Sequence, residues 1–278
     1  MIRLLFSLFM LAFMAGGGWW VWETQPVVRQ LVQAYIPTQD FVTLEVRFTP
    51  EQIMEQNSKE LLKDDQHTFL DPVTSFYPHV LMEVKYIKDN NGSTGEGMIL
   101  WDLVDGEMVI ATSTWDKTHG YEDCINSNAD RNDFKVINAL AKGGNALDRE
   151  GLLSALQIES DTMDGWIEST KAKEIVVQKG NKYRIHLQNP KFIQFPETKL
   201  SHNLVSKAYK LGIKVTKKYS VSQVIRVAKA AFGAGFAVRS FSEVYLPVYT
   251  ISIQNPDGSL FTTQWNALTG KRIQKWTP

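Results

Sequence analysis

Five histidines and one cysteine are the side chains of this sequence best suited to metal binding or nucleophilic catalysis. The histidines are His67, His79, His119, His186 and His202. They do not have the short spacings that metal sites use, and the sequence contains no GxGxxG, Walker, GxSxG or HExxH motif. We therefore expect no metal, no cofactor and no catalytic residue, with the histidines structural or solvated.

Cys124 is the only cysteine, so an intramolecular disulfide and a CxxC motif are excluded. His119 lies five residues earlier and Asp123 is adjacent. These residues allow either a Cys–His nucleophilic pair or an idle, buried thiol. The sequence supplies no recognisable base or oxyanion constellation around them, which favours the idle thiol and a non-enzymatic protein.

Three carboxylates, Asp102, Asp105 and Glu107, surround a predicted Asp105-Gly106 turn. Their oxygens could hold a cation, but their spacing is not that of an EF-hand loop. A solvated turn accounts for the same residues, and we favour it.

Charge is unevenly distributed, although the formal net charge of the 278 residues is +0. Residues 40–130 contain 18 acidic and 6 basic side chains, whereas residues 191–229 contain 9 basic and 1 acidic. The candidate basic surface comprises Lys207, Lys210, Lys214, Lys217, Lys218, Arg226 and Lys229. Such a surface suits a nucleic acid or an anionic membrane. Pairing with the acidic segment inside the molecule, or simple solvation of both, is the alternative that we favour.

The composition is that of a globular protein with more than one domain. It is 44% hydrophobic and 22% charged, which suits packed cores, and the length suffices for two or three domains. We predict an α+β fold class. The predicted segment boundaries are 1–23, 24–39, 40–130, 131–190, 191–218 and 219–278.

The first segment, residues 1–23, predicts a single-pass transmembrane anchor. Residues 4–22 carry no charge, and Ser7 is their only polar side chain. About 19 residues at 1.5 Å each just cross a hydrocarbon core of about 30 Å. Three tryptophans cluster at the far end, where indoles favour the headgroup boundary. We therefore expect residues 4–22 to contact the lipid bilayer.

The charges that flank this run predict its orientation. Arg3 precedes it, Glu23 follows it, and the next basic residue is Arg29. This bias places the N-terminus in the cytoplasm and the bulk of the chain outside the cell membrane. Two alternatives stay open: a signal peptide cleaved near Ala15 and Gly17, which would give a secreted protein, and a buried or interfacial helix.

Residues 24–39 predict a short amphipathic stem, and residues 40–130 predict an antiparallel α+β domain. Residues 41–48 alternate apolar and polar side chains as a half-buried strand does. Thr49 and Gln52 have the spacing of a capping box at the start of a helix. Further strands are predicted over 79–88, 97–103 and 107–111. Tight turns between these strands predict a meander.

Residues 131–190 predict three helices followed by a hairpin. Gly143 ends the first helix, and Asp148 and Ser160 are the expected N-caps of the second and third. Two strands then pair across the turn 179–181. The order helix, helix, helix, hairpin resembles a winged-helix domain, a fold often used on DNA.

The third predicted helix argues against a nucleic-acid partner. Its acidic residues are Glu159, Asp161, Asp164 and Glu168. A recognition helix needs basic or amide side chains at the major groove, and like charge opposes phosphate contacts. The wing offers only Lys179 and Lys182 in compensation. We therefore expect this domain to serve packing and docking.

Residues 191–218 predict a basic linker with a helix over 200–211, and residues 219–278 predict a helix followed by a hairpin. Ser220 and Gln223 have capping-box spacing. SVSQVIRVAKAAFG in the helix and WNALTGKRI after the second strand resemble the PepSY domain. That resemblance implies a location outside the cytoplasmic membrane and an inhibitory or chaperone-like role toward peptidases. No peptidase follows here, which leaves a free-standing interaction module.

Together these features predict a membrane-anchored, non-enzymatic interaction protein, exposed mainly on the outer face of the cytoplasmic membrane, with a protein partner of unknown identity. The alternative is a membrane-tethered winged-helix regulator whose C-terminus lies in the cytoplasm and binds nucleic acid.

Overall fold

A computed structural model describes residues 40–88, 92–207 and 213–273. The chain divides into two compact units, of which the larger comprises residues 42–206 and 212–278. Nearly all of the described residues belong to this larger unit, and its fold is a mixed α+β one.

The predicted anchor (1–23) and stem (24–39) lie outside the described residues. Within the part of the chain that the structure describes, no helix has both the length and the apolar character needed to cross a bilayer. The anchor therefore stays a prediction from the sequence.

The described elements alternate between short helices and strands of very unequal length. The helices are α1 (Pro50–Gln56), α2 (Ser58–Leu61), α3 (Tyr121–Asn126), α4 (Arg131–Lys142), α5 (Arg149–Leu156), α6 (Ser160–Ala172) and α7 (Val221–Phe232). The strands are β1 (Phe41–Leu44), β2 (Thr68–Phe69), β3 (Val73–Ile87), β4 (Thr94–Asp102), β5 (Met108–Ala111), β6 (Asp116–Lys117), β7 (Ala146–Asp148), β8 (Val176–Lys179), β9 (Lys182–Ile185), β10 (Leu204–Lys207), β11 (Ile213–Lys214), β12 (Ala237–Gln254) and β13 (Leu260–Asn266).

The larger of two sheets contains ten of these strands. Its main path runs β10-β1-β12-β3-β4-β5-β6, while β2 and β13 pair with β12 and β11 pairs with β3. Strands β3 to β6 form the predicted antiparallel meander. The pairs β1–β12 and β11–β3 are parallel.

The long strands β3 and β12 join distant parts of the chain. They are antiparallel, with Phe241 opposite Met82 and Leu246 opposite Tyr77. Strands of the segment 40–130 and of the segment 219–278 therefore lie side by side in one sheet.

Alternate residues of β3 enter two different hydrophobic clusters, as the period of a strand requires. Val80 and Met82 pack with Phe134 of α4 and Val224 of α7. Leu81 lies on the opposite face and belongs to a second cluster with strand residues such as Leu100 and Val244. Helices α3 to α7 thus contribute to the core on one face of the sheet.

A third cluster forms where α1 meets the C-terminal half of β12. Ile53 of α1 packs with Tyr249, Ile251 and Trp265, all of which are buried. The predicted capping box holds α1 in place: the Thr49 hydroxyl accepts from the Gln52 amide, and the Gln52 side chain accepts from the Thr49 amide.

Helices α4 and α5 of residues 131–190, and α7 further on, begin at side-chain caps. The Asp130 carboxylate accepts from the amides of Asn132 and Asp133 at the start of α4. Asp148 caps α5 by accepting from the Gly151 amide at 2.8 Å, as predicted. The capping box of Ser220 and Gln223 in α7 is also confirmed.

Within residues 131–190 the elements follow in the order α4, β7, α5, α6, β8, β9. β7 lies between α4 and α5 and pairs with β9, so that the smaller sheet has the order β7-β9-β8. β7 has 3 residues. The sequence did not predict this strand, because three residues show no measurable alternation.

Two local predictions were wrong. The helix expected over 200–211 is replaced by β10 at residues 204–207, and residues 208–212 lie outside the described ones. Backbone pairing beside β1 overrides the helical spacing of the apolar side chains there. Ser160 is the first residue of α6 and not its cap, because its hydroxyl accepts from the Arg149 guanidinium.

Candidate functional site

The candidate basic surface divides into residues with different surroundings. Lys210 lies outside the described residues, and Lys207 ends β10. Lys229 is exposed on α7. Lys214 packs over the ring of Tyr245, with Nζ at 4.9 Å from the ring centroid, and burial lowers the pKa of this lysine.

The remaining three basic residues contact polar partners within the molecule. Lys218 Nζ lies 2.6 Å from Glu122 Oε1, and Lys217 forms an ion pair with Glu243. Arg226 donates a hydrogen bond to the side chain of Asn128. The hydrogen bond to Glu122 raises the pKa of Lys218. Since Glu122 belongs to the acid-rich segment, part of the basic charge is used in internal pairing.

The turn between β4 and β5 was expected to be solvated, and this expectation is wrong. Asp102 is 4% exposed and Glu107 is 8% exposed. Asp102 ends β4 and Glu107 directly precedes β5, and an unpaired carboxylate buried there would be strongly unfavourable.

Lys117 of β6 supplies the counter-charge for this turn. Its Nζ lies 2.6 Å from Oδ2 of Asp102 and 2.6 Å from Oδ2 of Asp105. Burial opposes the ionised form of Asp102, but Lys117 and His79 hold its pKa below the usual range. We call Asp102, Asp105, Lys117 and His79 the buried charge cluster; Asp105 lies at its edge, with a side chain that is 44% exposed.

His79 of β3 completes the buried charge cluster. Its side chain is fully buried, and Nδ1 lies 2.9 Å from the carbonyl oxygen of Tyr77. A carbonyl can only accept, so Nδ1 carries the proton. Nε2 lies 3.3 Å from Asp102 Oδ2 without a well-directed hydrogen bond, and Trp115 packs edge-on against the imidazole at 5.5 Å.

Glu107 connects β5 to the start of α3. Its Oε1 accepts from the amides of Gly120 at 2.7 Å and Glu122 at 3.2 Å, and its Oε2 accepts from the Thr118 hydroxyl at 2.6 Å. Burial raises the pKa of Glu107, and these hydrogen bonds offset the rise only in part. Gly120 has a φ of 120°, and a Cβ there would lie 2.3 Å from the Phe192 ring.

Cys124 does not have the surroundings of a nucleophile. It is fully buried in the core, and burial raises the pKa of its thiol well above the usual value. A thiolate is the reactive form, so this environment matches the idle thiol.

The described histidines do not converge. His67 contacts Asp64 at 2.6 Å, His202 Nδ1 lies 3.0 Å from the Thr112 hydroxyl, and His119 Nδ1 lies 3.2 Å from the Asn189 carbonyl. Across residues 40–88, 92–207 and 213–273, no group of three or more histidine, cysteine or acidic residues could hold a metal ion.

The acidic helix α6 is partly neutralised by its neighbours. Asp164 forms an ion pair with Arg149 of α5 at 2.6 Å, and Glu168 forms one with Lys171 at 2.9 Å. Glu159 and Asp161 are exposed at the start of α6. The charge that faces solvent at this end therefore stays negative.

A groove lies between α4 and α5 in the described part of the chain. Its volume is about 550 Å³, and its lining residues come from α4, β7, α5 and the turn between them. They are Lys135, Asn138, Ala139, Lys142, Gly143, Leu147, Gly151, Ser154, Ala155 and Leu156.

A smaller depression of about 150 Å³ borders the same face of α4. It shares Asn138 and Lys142 with the first and adds Ile193, Ala231 and Phe232 among its lining residues. We call the two together the α4 groove. Its walls combine apolar side chains such as Leu147 and Phe232 with polar ones such as Asn138, and two exposed lysines, Lys135 and Lys142, line it.

Comparison with protein-family models, with curated proteins and with solved structures finds no match to this chain.

The polar side chains that line the α4 groove are two lysines, an asparagine, a serine, a tyrosine and a glutamine. Sequence reasoning missed this groove. The sequence feature that could have indicated the groove is the seven-residue spacing of Lys135 and Lys142, which places both on one face of an amphipathic helix. That Leu147 and Phe232 would border this face depends on tertiary contacts.

Proposed function

We propose that this chain is a membrane-anchored, non-enzymatic interaction protein, with most of its residues on the outer face of the cytoplasmic membrane. The observation that carries the interaction role is the α4 groove, a depression lined by both apolar and polar side chains, with two exposed lysines. The membrane role rests on the sequence of residues 4–22. The partner would be a protein, because the groove joins apolar surface to a few isolated charges.

The absence of an enzymatic role is part of the same proposal. Cys124 is buried with a raised thiol pKa, and the carboxylates Asp102 and Asp105 are paired with Lys117. Groups held in this way support the fold and are not placed for reaction with a substrate.

We further propose a winged-helix-like domain at residues 131–190 and a PepSY-like domain at residues 219–278, with an α+β domain at 40–130 and a basic linker at 191–218. The position of β7 beside β9 supports the winged-helix resemblance. The succession of α7, β12 and β13 supports the PepSY resemblance.

A topology reporter fused after Pro278 tests the proposal. We expect a reporter that works only outside the cytoplasm, such as alkaline phosphatase, to be active, because Arg3 favours a cytoplasmic N-terminus. Deleting residues 4–22 is the control and should abolish that activity. Activity only with a cytoplasmic reporter would contradict the proposed location. The mass of the membrane-extracted chain separates a retained anchor from a cleaved signal peptide and a secreted product.

The second candidate is a membrane-tethered regulator that binds nucleic acid. It is favoured by the same placement of β7 and by exposed basic residues at the wing, Lys179, Lys182 and Arg184. Binding of duplex DNA by the full-length chain that weakens steeply with salt would support it. Lack of binding at low salt would exclude it, and the exposed acids Glu159 and Asp161 lead us to expect that result.

A further inference from the structure

The two lysines on the rim of the α4 groove are arranged at a helical repeat. Lys135 and Lys142 are seven residues apart in one helix. At 1.5 Å per residue they are separated by about 10.5 Å along the axis, or nearly two turns, and lie on the same side of α4. Trp166 holds Lys135 in place, with the ammonium 4.5 Å from the indole centroid.

Apolar side chains occupy the space around these two charges. Leu147 and Leu156 lie on the α5 side, and Ile193 and Phe232 lie on the other side. Ile193 is 50% exposed, although it is a large aliphatic residue. Burying this surface would favour association, and the costs of binding would oppose it.

The rim charges lack the neutralising partners seen elsewhere. Among the described residues, no carboxylate lines the α4 groove, and none is within ion-pair distance of Lys135 or Lys142. By contrast, Lys171, Lys173 and Lys218 each contact a carboxylate. The groove therefore has two positive charges for which an occupant could supply the counter-charge.

We infer that the α4 groove receives an acidic amphipathic α-helix of a partner protein; this inference rests on the proposed interaction role. A helix with two acidic residues seven positions apart presents them at the same spacing as the two lysines. Apolar residues three and four positions after the first acid then lie on the same face of that helix, toward the groove. A lipid surface or a nucleic acid would require a denser and more continuous positive charge.

The first test is a direct binding titration. The probe is a fluorescein-labelled helical peptide of about 15 residues, long enough to hold helical structure. It carries two glutamates seven positions apart, leucines between them on the same face, and alanine or glutamine elsewhere. The matched control peptide has lysine in place of both glutamates. Full-length protein in detergent micelles should bind the acidic peptide and bind the lysine peptide at least about 10-fold more weakly.

Charge-reversal variants locate the site. Lys142→Glu should weaken binding of the acidic peptide by about 10-fold, because an ion pair is replaced by a repulsion. Lys59→Glu is the matched control, since Lys59 is exposed on α2 and does not line the groove. The double variant Lys135→Glu/Lys142→Glu should prefer the lysine peptide, which a general loss of folding could not produce.

Several results would overturn the inference. They are equal binding of both peptides, unchanged binding to Lys142→Glu, and no binding of the acidic peptide at about millimolar concentration. Lysine-dependent binding to phosphatidylglycerol vesicles without peptide binding would assign the groove to a membrane surface. Lysine-dependent dimers in sedimentation would assign it to a second copy. The reporter at Pro278 is independent of all these outcomes, so failure here is distinguishable from failure of the proposed location.

Discussion

Lys117 and Lys142 show two opposite uses of the same side chain. Lys117 is 21% exposed and touches two carboxylates, one of which is almost fully buried. Lys142 is exposed beside the α4 groove, and none of the described carboxylates pairs with it. A charge inside the protein needs a partner and becomes part of the fold, whereas a charge on a groove rim is available to a second molecule.

The largest expected effect is on the buried charge cluster. Lys117→Met should lower the free energy of unfolding by about 3 kcal/mol, because it leaves Asp102 buried without its main counter-charge. Urea unfolding of the full-length chain in detergent, followed by tryptophan fluorescence, measures the change. Lys142→Met is the matched control and should remain within about 0.5 kcal/mol of the unmodified protein. Equal losses in the two variants would show that Lys117 is no more important to the fold than Lys142.

An intermediate effect concerns pH and Glu107. Its folded-state pKa is raised above the ordinary 4.5, mainly by burial. Its contribution to stability is therefore fully present below that value and is lost as pH rises through the folded-state pKa. Glu107→Gln should remove this dependence while keeping an acceptor for the Gly120 and Glu122 amides. The difference in unfolding free energy, unmodified protein minus variant, should thus decrease as the pH rises from acidic to neutral. A difference that stays constant or rises would contradict this sign.

The smallest effect is expected at the solvent-exposed ion pair of Lys218 and Glu122. The side chains are 55% and 38% exposed, and such pairs contribute less than about 1 kcal/mol because solvent and salt screen them. Lys218→Met should shift the urea midpoint only slightly, and added salt should reduce the shift further. A loss as large as that of Lys117→Met would show that exposure does not separate the two kinds of lysine.

Local signals predicted local structure well. Thr49, Asp148 and Ser220 cap helices as expected, because a cap depends on residues only two or three positions away. The meander was also predictable from its tight turns. The helix expected over 200–211 failed because its apolar spacing competes with backbone pairing to a distant strand.

The candidate site was predicted less well, since charge counts do not report burial. The turn at Asp105 was expected to be solvated, yet Asp102 beside it is buried and paired with Lys117, fifteen residues later in the sequence. The basic residues Lys217 and Lys218 were identified from composition, but their acidic partners come from other segments.

The sequence by itself determined the starts of α1, α5 and α7, the tight turns of the meander, the α+β class and the uneven distribution of charge, because each depends on neighbouring residues or on composition. Only the tertiary structure decided that β12 pairs with β3, that Lys117 neutralises Asp102, and that α4, α5 and residues 192–194 enclose a groove. These features join residues that are far apart in the chain. Their free energy comes from burial and pairing across the fold, which local sequence patterns do not encode.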